Sequence, residues 1–600
     1  MKKITIKLAI AAISLLILNT GCNNDFLEKP SGGTVTSDTI FNTRSQARQA
    51  IAQMYNTCVT SYFPNSKGDG LLNGRPDALT DEVDMSQDVI GWCGSIMNLD
   101  LFVKGSMSTE KPCDWGGYGS HYNGIRHANL VYKNIDQVKD ADDAWKKDIK
   151  GQALFCRALQ HFELFRYYGG IPLIDHPIEE DVLHSRASLE RTVNAIVSWC
   201  DEAASLMQTT RPTTDFGMAT KLAALALKSR VLLYAASPLY NTPDNLKSEV
   251  AGARFGDARD SVLCYPTYSN DRWKLAADAA QAVIENAALA GVSLYNTGKI
   301  STNGDTYATL GDYESVWNVY ANQEIILSCT TLTTNAWDEW KISKAPNAGW
   351  ATKNNTPIEF AQLYEKNDGS KWIFNISGTD LTTYLEGLNL DPRFYQSIAY
   401  DGKWYSSSYG KLDYYLAGNT GANGKCSGID GYAMEAYKFQ IRVDNQSDNH
   451  IVWPVFRLAE FYLSKAEALN EYNNGPSADA YDAMNLIRSR VGMPAKSGLD
   501  VNSFRDAIQN ERTIELAFEN HRYNDILRWL KGSTILNQNL HVAQTTGNLV
   551  NGEVLHPWTI VQSTQRSFPK KYYYVPFTNA EISKNYLGDG KTWNGQNPGW

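Results

Sequence analysis

Paired helical segments rich in small residues, kept apart in the chain by long stretches without periodicity, constrain most strongly what this sequence can fold into. The run "DIKGQALFCRALQHFELFRYYG" keeps Ala153, Leu154, Ala158, Leu159, Phe162 and Phe165 on one side and stops at Gly169, Gly170 and Pro172. "TVNAIVSWCDEAASLM" is its expected antiparallel neighbour. "TKLAALALKSRVLLYAASP" and "RWKLAADAAQAVIEN" make a second pair, with alanine at the contact positions. "RLAEFYLSKAEALNEY" and "SADAYDAMNLIRSR" make a third, joined by a short Asn-Gly-Pro turn. An earlier helix is expected from near Thr43, where Ala47, Ala50, Ile51 and Met54 recur at three- and four-residue steps.

Alanine-lined pairs of this kind resemble tetratricopeptide repeats, but long insertions make the period irregular. The expected fold is therefore mainly α: tetratricopeptide-like helix pairs form a scaffold, and a loop-rich, partly β region serves for ligand binding. From Pro64 to Trp115 the pattern dissolves into Gly, Asn, Asp and Ser with single aromatics; Trp115, just before a helix, reads as core. A larger insert spans roughly 296–450, and within it "QEIILSCTTL" reads as a strand. The organisation expected is a leader over 1–21, a tether over 22–42, an N-terminal helical region over 43–240 and a C-terminal region over 241–600 that contains the insert. Loops mounted on a rigid frame are where binding residues concentrate.

The N-terminus indicates location. Lys2, Lys3 and Lys7 precede an apolar run from Leu8 to Leu18, which is signal-peptide length and shorter than the ~20 residues a membrane span requires. Small Thr20 and Gly21 then precede Cys22. An ordinary secretory site has no use for a cysteine there, whereas a bacterial lipoprotein signal acylates the thiol and cuts the chain just before it. Asn19 stands where such signals usually carry leucine, and Leu18 lies one place further back. Cys22 is the expected lipidation site, anchoring the chain to a membrane without spanning it. A plain secreted protein with an incidental cysteine is the alternative.

Chemistry is narrowed by what is missing. Net charge is −9 with no basic stripe, so nucleic acid is not an expected partner. Beyond Cys22 the cysteines are scattered without a C-x-x-C pair; Cys156 and Cys200 fall in apolar helical runs as small core residues. G-x-S-x-G and H-E-x-x-H are absent, the histidines are dispersed, and "GGYGSHYNG" opens no phosphate loop, so no cofactor or metal is expected. The acidic segment "DALTDEVDMSQD", with Asp77, Asp81, Glu82, Asp84 and Asp88, lacks the glycine and closing glutamate of an EF-hand. It reads as a solvated loop or a set of acceptors for ligand hydroxyls. In "NERTIELAFENHRYNDILRW", Glu511, Glu515 and Glu519 fall one helical turn apart, and Arg522, Asp525 and Arg528 continue the series. Carboxylates along one helix do not face each other across a cleft as a glycosidase pair does. With apolar Ile508, Ile514, Phe518, Ile526 and Trp529 between the charges, an ion network locking a helix to its neighbours is the expectation.

The excess of aromatics, 16 Trp and 33 Tyr, falls largely in polar loop-like surroundings. Exposed aromatics are costly unless something covers them, so they mark a binding surface, where a flat ligand face packs on such rings while Asn, Asp and Arg satisfy its polar groups. Two segments supply both. One holds Trp92 with Asp81, Glu82 and Asn98; the other holds Trp337, Trp340 and Trp350 with Asn335, Asp338 and Lys341. Packing is the competing reading for each of these tryptophans.

Five segments occur together in order: "CNNDFLEKPSG", "CRALQHFELFRYYGGIPLI", "WPVFRLAEFYLSKAEALN" with "MNLIRSRVGMP", "NERTIELAFENHRYNDILRW", and "YYYVPFTNAEI" running to "QNPGW". From Cys22 to Trp600 the chain thereby resembles the SusD/RagB outer-membrane lipoproteins. That resemblance implies tetratricopeptide-like pairs with an irregular ligand-facing region, and a surface-exposed, non-catalytic role. It implies binding of oligosaccharide or polysaccharide, as a lid on a SusC-like TonB-dependent transporter in the outer membrane. It also places ligand-contacting aromatics near the segment of Trp337 and Trp340. Some relatives handle peptides, which is the alternative within the fold; a glycoside hydrolase and a purely structural repeat scaffold are the alternatives outside it.

Overall fold

The structure, a computed structural model, describes residues 40–59, 76–85, 99–112, 117–177, 184–300, 310–329, 354–406, 410–412, 432–439, 452–545, 548–550 and 553–600. The periodic segments are helices: α1 (Arg44–Cys58), α2 (Tyr118–Asn134), α3 (Asp143–Tyr168), α4 (Leu189–Leu206), α5 (Lys221–Ala236), α6 (Asp271–Ala287), α7 (Leu458–Asn473), α8 (Ala478–Arg490) and α9 (Val501–Glu515). Side-chain caps start several of them. Thr43, Asp142, Ser188, Ser477 and Asp500 each accept a hydrogen bond from the backbone N–H three residues on, satisfying a donor that the first turn leaves unpaired.

From α1 to α8 each helix packs on the next, and α7 also packs on α9. The three expected pairs, α3 with α4, α5 with α6 and α7 with α8, are present. Alanine makes these contacts: Ala223, Ala224 and Ala226 of α5, Ala276, Ala277 and Ala280 of α6, and Ala459, Ala466 and Ala468 of α7 are all buried. Because α6 and α7 touch directly, the chain between them is an insertion into an otherwise continuous stack. The most deeply embedded helix is α3, buried on every side from Gly151 to Tyr168, with Cys156 packed as a small apolar residue; Cys200 of α4 is buried likewise. None of the described helices is long and apolar enough to cross a membrane.

Among its described residues the insert contributes short elements only. Its strand at Ile325–Cys329 matches expectation, but its other pieces are two to seven residues long. Named in chain order, the strands that matter here are β1 (Asp84–Met85), β2 (Ile325–Cys329), β3 (Asn354–Asn355), β4 (Ile398–Tyr400), β5 (Met434–Ala436) and β6 (Trp453–Arg457). β1, β3, β5 and β4 form one antiparallel sheet in that order, and β2 pairs antiparallel with β6. Strands this short carry too few residues for a period-two pattern to be visible.

The end of α3 depends on two glycines. Gly169 takes φ of 81°, and Gly170 donates its N–H to the Val262 carbonyl at 2.5 Å. A Cβ on Gly170 would run into the carbonyl oxygen of Ala187. Backbone cannot move aside as a flexible side chain does, so Gly170→Ala is expected to lower stability by about 1–3 kcal/mol, read as a fall in the urea midpoint at unchanged slope. An unchanged midpoint would show that the turn relaxes freely.

Candidate functional site

The base of the site is a buried ion network. Arg457, at the junction of β6 and α7, donates to Glu519 at 2.8 Å through both Nε and Nη2, to Glu324 at 2.9 Å and to Glu515 at 2.7 Å. Arg490 of α8 donates to Glu324 at 2.7 Å and to Glu515. Arg393 spans Asp391, Glu511 and Glu515 at 2.7, 2.6 and 3.1 Å, and Arg488 reaches Glu511 at 2.8 Å. Lys438 donates to Glu519 at 2.6 Å and to the Tyr313 hydroxyl at 2.9 Å. Glu511, Glu515 and Glu519 are thus framework, as the apolar spacing between them indicates. Burial alone would raise their pKa values, but the facing guanidinium groups and Lys438 hold all three below the usual carboxylate range. Burial pushes Lys438 down to about 8 against the pull of Glu519.

The three glutamates do not share one helix, however. α9 ends at Glu515, and a further helix, α10, runs Arg522–Arg528. Between them Phe518 and Asn520 take φ of 60° and 62°. The Phe518 N–H freed by this turn donates to Glu82 Oε1 at 2.9 Å, so the break in the helix is filled by the acidic segment.

That acidic segment is buried, contrary to expectation. Asp77, Asp81, Glu82 and Asp84 are each 4% exposed or less, so over 77–84 the segment is neither a solvated loop nor a row of acceptors open to a ligand; Asp88 lies outside the described residues. Both carboxylate oxygens of Asp81 accept from Arg522, at 2.9 and 2.8 Å. Asp84 accepts from Arg566 at 3.3 Å and from Ser563. Burial, with Asp77 close by, pushes Glu82 well above the usual range.

Above this base the sheet strands bring loop ends together. Met85 pairs with Asn354, so the chain leaves toward Trp92 where it returns from Trp350. Cys329 pairs with Trp453, which places the departure of segment 330–353 beside the arrival of segment 440–451. The Cys329 thiol also donates to the Val59 carbonyl at 2.9 Å, next to the start of segment 60–75. Beneath lies an aromatic slab that sequence reasoning did not single out. Phe439 packs on Trp453 at 4.6 Å and on Trp317 at 5.8 Å, and Trp317 packs on Tyr313 at 4.8 Å between centroids. Lys438 sits over the Tyr313 and Trp317 rings. Tyr313 and Trp317, one helical turn apart, were the available signal, and they look the same as ordinary core.

Of the residues expected to bind ligand, Asp81 and Glu82 are described: Arg522 occupies the first, and the Phe518 N–H engages the second. Trp92, Asn98, Trp337, Trp340 and Trp350 lie outside the described residues, as do Trp115 and the lipidation candidate Cys22. Among the described residues no cluster of His, Cys, Asp and Glu could hold a metal ion.

A stack of paired helices gripping an irregular insert through buried ion pairs defines a class: a helical scaffold that carries loops. Residues 312–600 match the family model described as SusD family, and residues 25–233 match one described as starch-binding associating with outer membrane. The chain belongs to the SusD family. It is 23% identical over 533 residues to the SusD-like protein P25 of Formosa agariphila, covering 86% of this chain and 88% of that one. A solved SusD-like protein from Bacteroides fragilis matches with a TM-score of 0.72 at 22% identity, over 94% of this chain and 99% of that one. A SusD-like carbohydrate binding protein from the same organism matches at 0.66 and 19%, over 91% and 99%.

The network sets a pH dependence. Carboxylates whose folded pKa lies below the unfolded value of about 4.3 contribute stability that is complete above that value and is lost progressively as pH falls from it through the folded pKa. The melting temperature is therefore expected to hold from pH 7 to 5 and then drop steeply. Glu515→Gln, which strips Arg457 and Arg490 of a partner, should cost about 3–5 kcal/mol at pH 7 and flatten the acid limb. A wild-type melting temperature equal at pH 5 and pH 3 would contradict the assignment.

Proposed function

We propose that this chain is a cell-surface, lipid-anchored protein that captures oligosaccharide or polysaccharide and passes it to a SusC-like TonB-dependent outer-membrane transporter. Capture is by stacking of sugar faces on Trp337, Trp340, Trp350 and Trp92, with Asn98 and neighbouring polar side chains holding hydroxyls. Asp81 supports the loop from below. The observation that carries the reading is the gathering of the ends of these aromatic-bearing segments by β1–β3 and β2–β6, above a base of paired charges. Membership of the SusD family supports it, as do the model description naming starch binding with the outer membrane and the B. fragilis relative called carbohydrate binding.

No covalent chemistry belongs to this reading. The carboxylates spaced most suggestively for acid–base work, Glu511 and Glu515, are charge-paired and at most 1% exposed. A general acid in a glycosidase needs a raised pKa and access to the glycosidic oxygen, and these two glutamates lack both.

Titration calorimetry of the chain starting after Cys22, against a panel of polysaccharides and oligosaccharides, tests the proposal. Saturable heat with at least one glycan is expected, with affinity falling tenfold or more in Trp337→Ala and Trp340→Ala and the glycan recovered at its original length. Heat from oligopeptides alone would assign the same architecture to peptides, and shortened glycan would make the protein a hydrolase.

Anchoring has its own test. In cells given radiolabelled palmitate, wild-type chain should take up label and sediment with membranes, and Cys22→Ser should do neither. Equal labelling of the two would remove Cys22 from its role.

A further inference from the structure

A cavity of about 570 Å³ lies along the outward side of α9, formed by elements other than those at the loop rim. Ser503, Asp506, Gln509, Asn510 and Thr513 line it at helical spacing, with apolar Leu499 and Trp529 beside them. Gln509 is only 7% exposed, and its Oε1 has no hydrogen-bond partner. Buried amide oxygens are nearly always paired, so one left open in a cavity wall calls for a donor from whatever fills the cavity. Asn510 spends its Nδ2 on the Leu363 carbonyl at 2.9 Å, which fixes the orientation of its amide.

The charges around the cavity are unequal. Lys371, Arg488, Lys496, Arg522 and Lys531 line it against only Glu365 and Asp506, in a chain whose net charge is −9. Arg488 and Lys496 share Glu365 at 2.9 and 2.7 Å, and Arg522 is satisfied by Asp81. Lys531 approaches Asp506 at 3.3 Å on the exposed edge. Lys371 has no ion-pair partner among the described residues.

From the unpaired amide and the unpaired cation in one cavity, we propose that this groove is a second saccharide site that takes a carboxylated sugar unit. A ring hydroxyl donates to Gln509 Oε1, the Asn510 amide oxygen and Ser503 hydroxyl accommodate neighbouring hydroxyls, and Lys371 faces the carboxylate. The volume suits one or two sugar rings rather than a folded polypeptide segment. The site is separate from capture at the loop rim and does not depend on it.

The test uses the mature chain carrying Trp337→Ala and Trp340→Ala, titrated with a galacturonate trisaccharide and with the neutral galactose trisaccharide. Saturable binding of the acidic trisaccharide is expected, at least tenfold tighter than the neutral one and weakening as salt rises. Adding Lys371→Ala, an exposed position that leaves packing alone, should abolish the preference for acid. Adding Gln509→Leu should weaken both sugars tenfold, with its melting temperature confirming the fold. Absence of acidic-sugar binding, or binding indifferent to both substitutions, would overturn the proposal and leave the cavity to water. Failure of loop capture would appear separately, as wild-type and double-tryptophan chains binding the glycan panel equally.

Discussion

Arg457 makes the contact on which the rest of the structure depends. Its guanidinium reaches Glu515 at the end of α9, Glu519 in the turn beyond it and Glu324 just before β2. One side chain therefore joins the junction of β6 and α7 to the far end of the helix stack and to the insert. Arg490 repeats two of these links from α8, and Arg393 brings in the insert again through Glu511 and Glu515. Removing so many charges from water is costly, and apolar side chains of similar volume would often serve stability as well. What apolar side chains do not supply is a fixed mutual position. Fork-shaped guanidinium groups shared among several carboxylates satisfy their donors in one arrangement of the elements and leave buried charges exposed to the full desolvation penalty in others.

That fixed arrangement explains how a region of such short strands can be part of a rigid frame. Two- and three-residue strands have almost no ladder of their own, and an isolated hairpin is marginal in water. β1 is held because Asp84 binds Arg566 and the preceding Asp81 binds Arg522; β2 is held because Glu324 precedes it. The alanine-lined stack provides the apolar burial, and the ion pairs place the sheet on it. Segments that leave from anchored neighbours lose less conformational freedom on ordering around a ligand than segments with free ends. Affinity depends on that saving as much as on contacts made.

How much of this was legible in sequence follows from the range of each signal. The helices declared themselves because apolar spacing and a stop such as Gly169 both lie within one or two turns. The partner of each helix was legible from its alanines, although the direct contact of α6 with α7 crosses the whole insert. The role of Glu511, Glu515 and Glu519 was legible from the apolar residues between them, but their helix was drawn too long. Spacing by four is equally compatible with the left-handed turn at Phe518 and Asn520, neither of which is glycine. The acidic segment was misread for a different reason. Asp81 and Asp84 are paired by Arg522 and Arg566, more than four hundred positions away, and nothing near Asp81 in the chain announces a cation. The loop tryptophans were legible as a chemical type, and their ends as a place only once strand pairing was known.

The pattern of neutralisation also bears on reaction chemistry. Burial pushes the pKa of Glu82 well above its ordinary value, the condition that suits a general acid near neutral pH. Yet Glu82 is 1% exposed, and its Oε1 is engaged by the Phe518 N–H. A proton held there is sealed beneath the frame and cannot be delivered to a substrate. Glu511, Glu515 and Glu519, by contrast, face arginines or Lys438, which hold their pKa values low. A protein that spends its buried acids on holding arginines in place has arranged its charge for position, and position is what presenting loops to a flat sugar face requires.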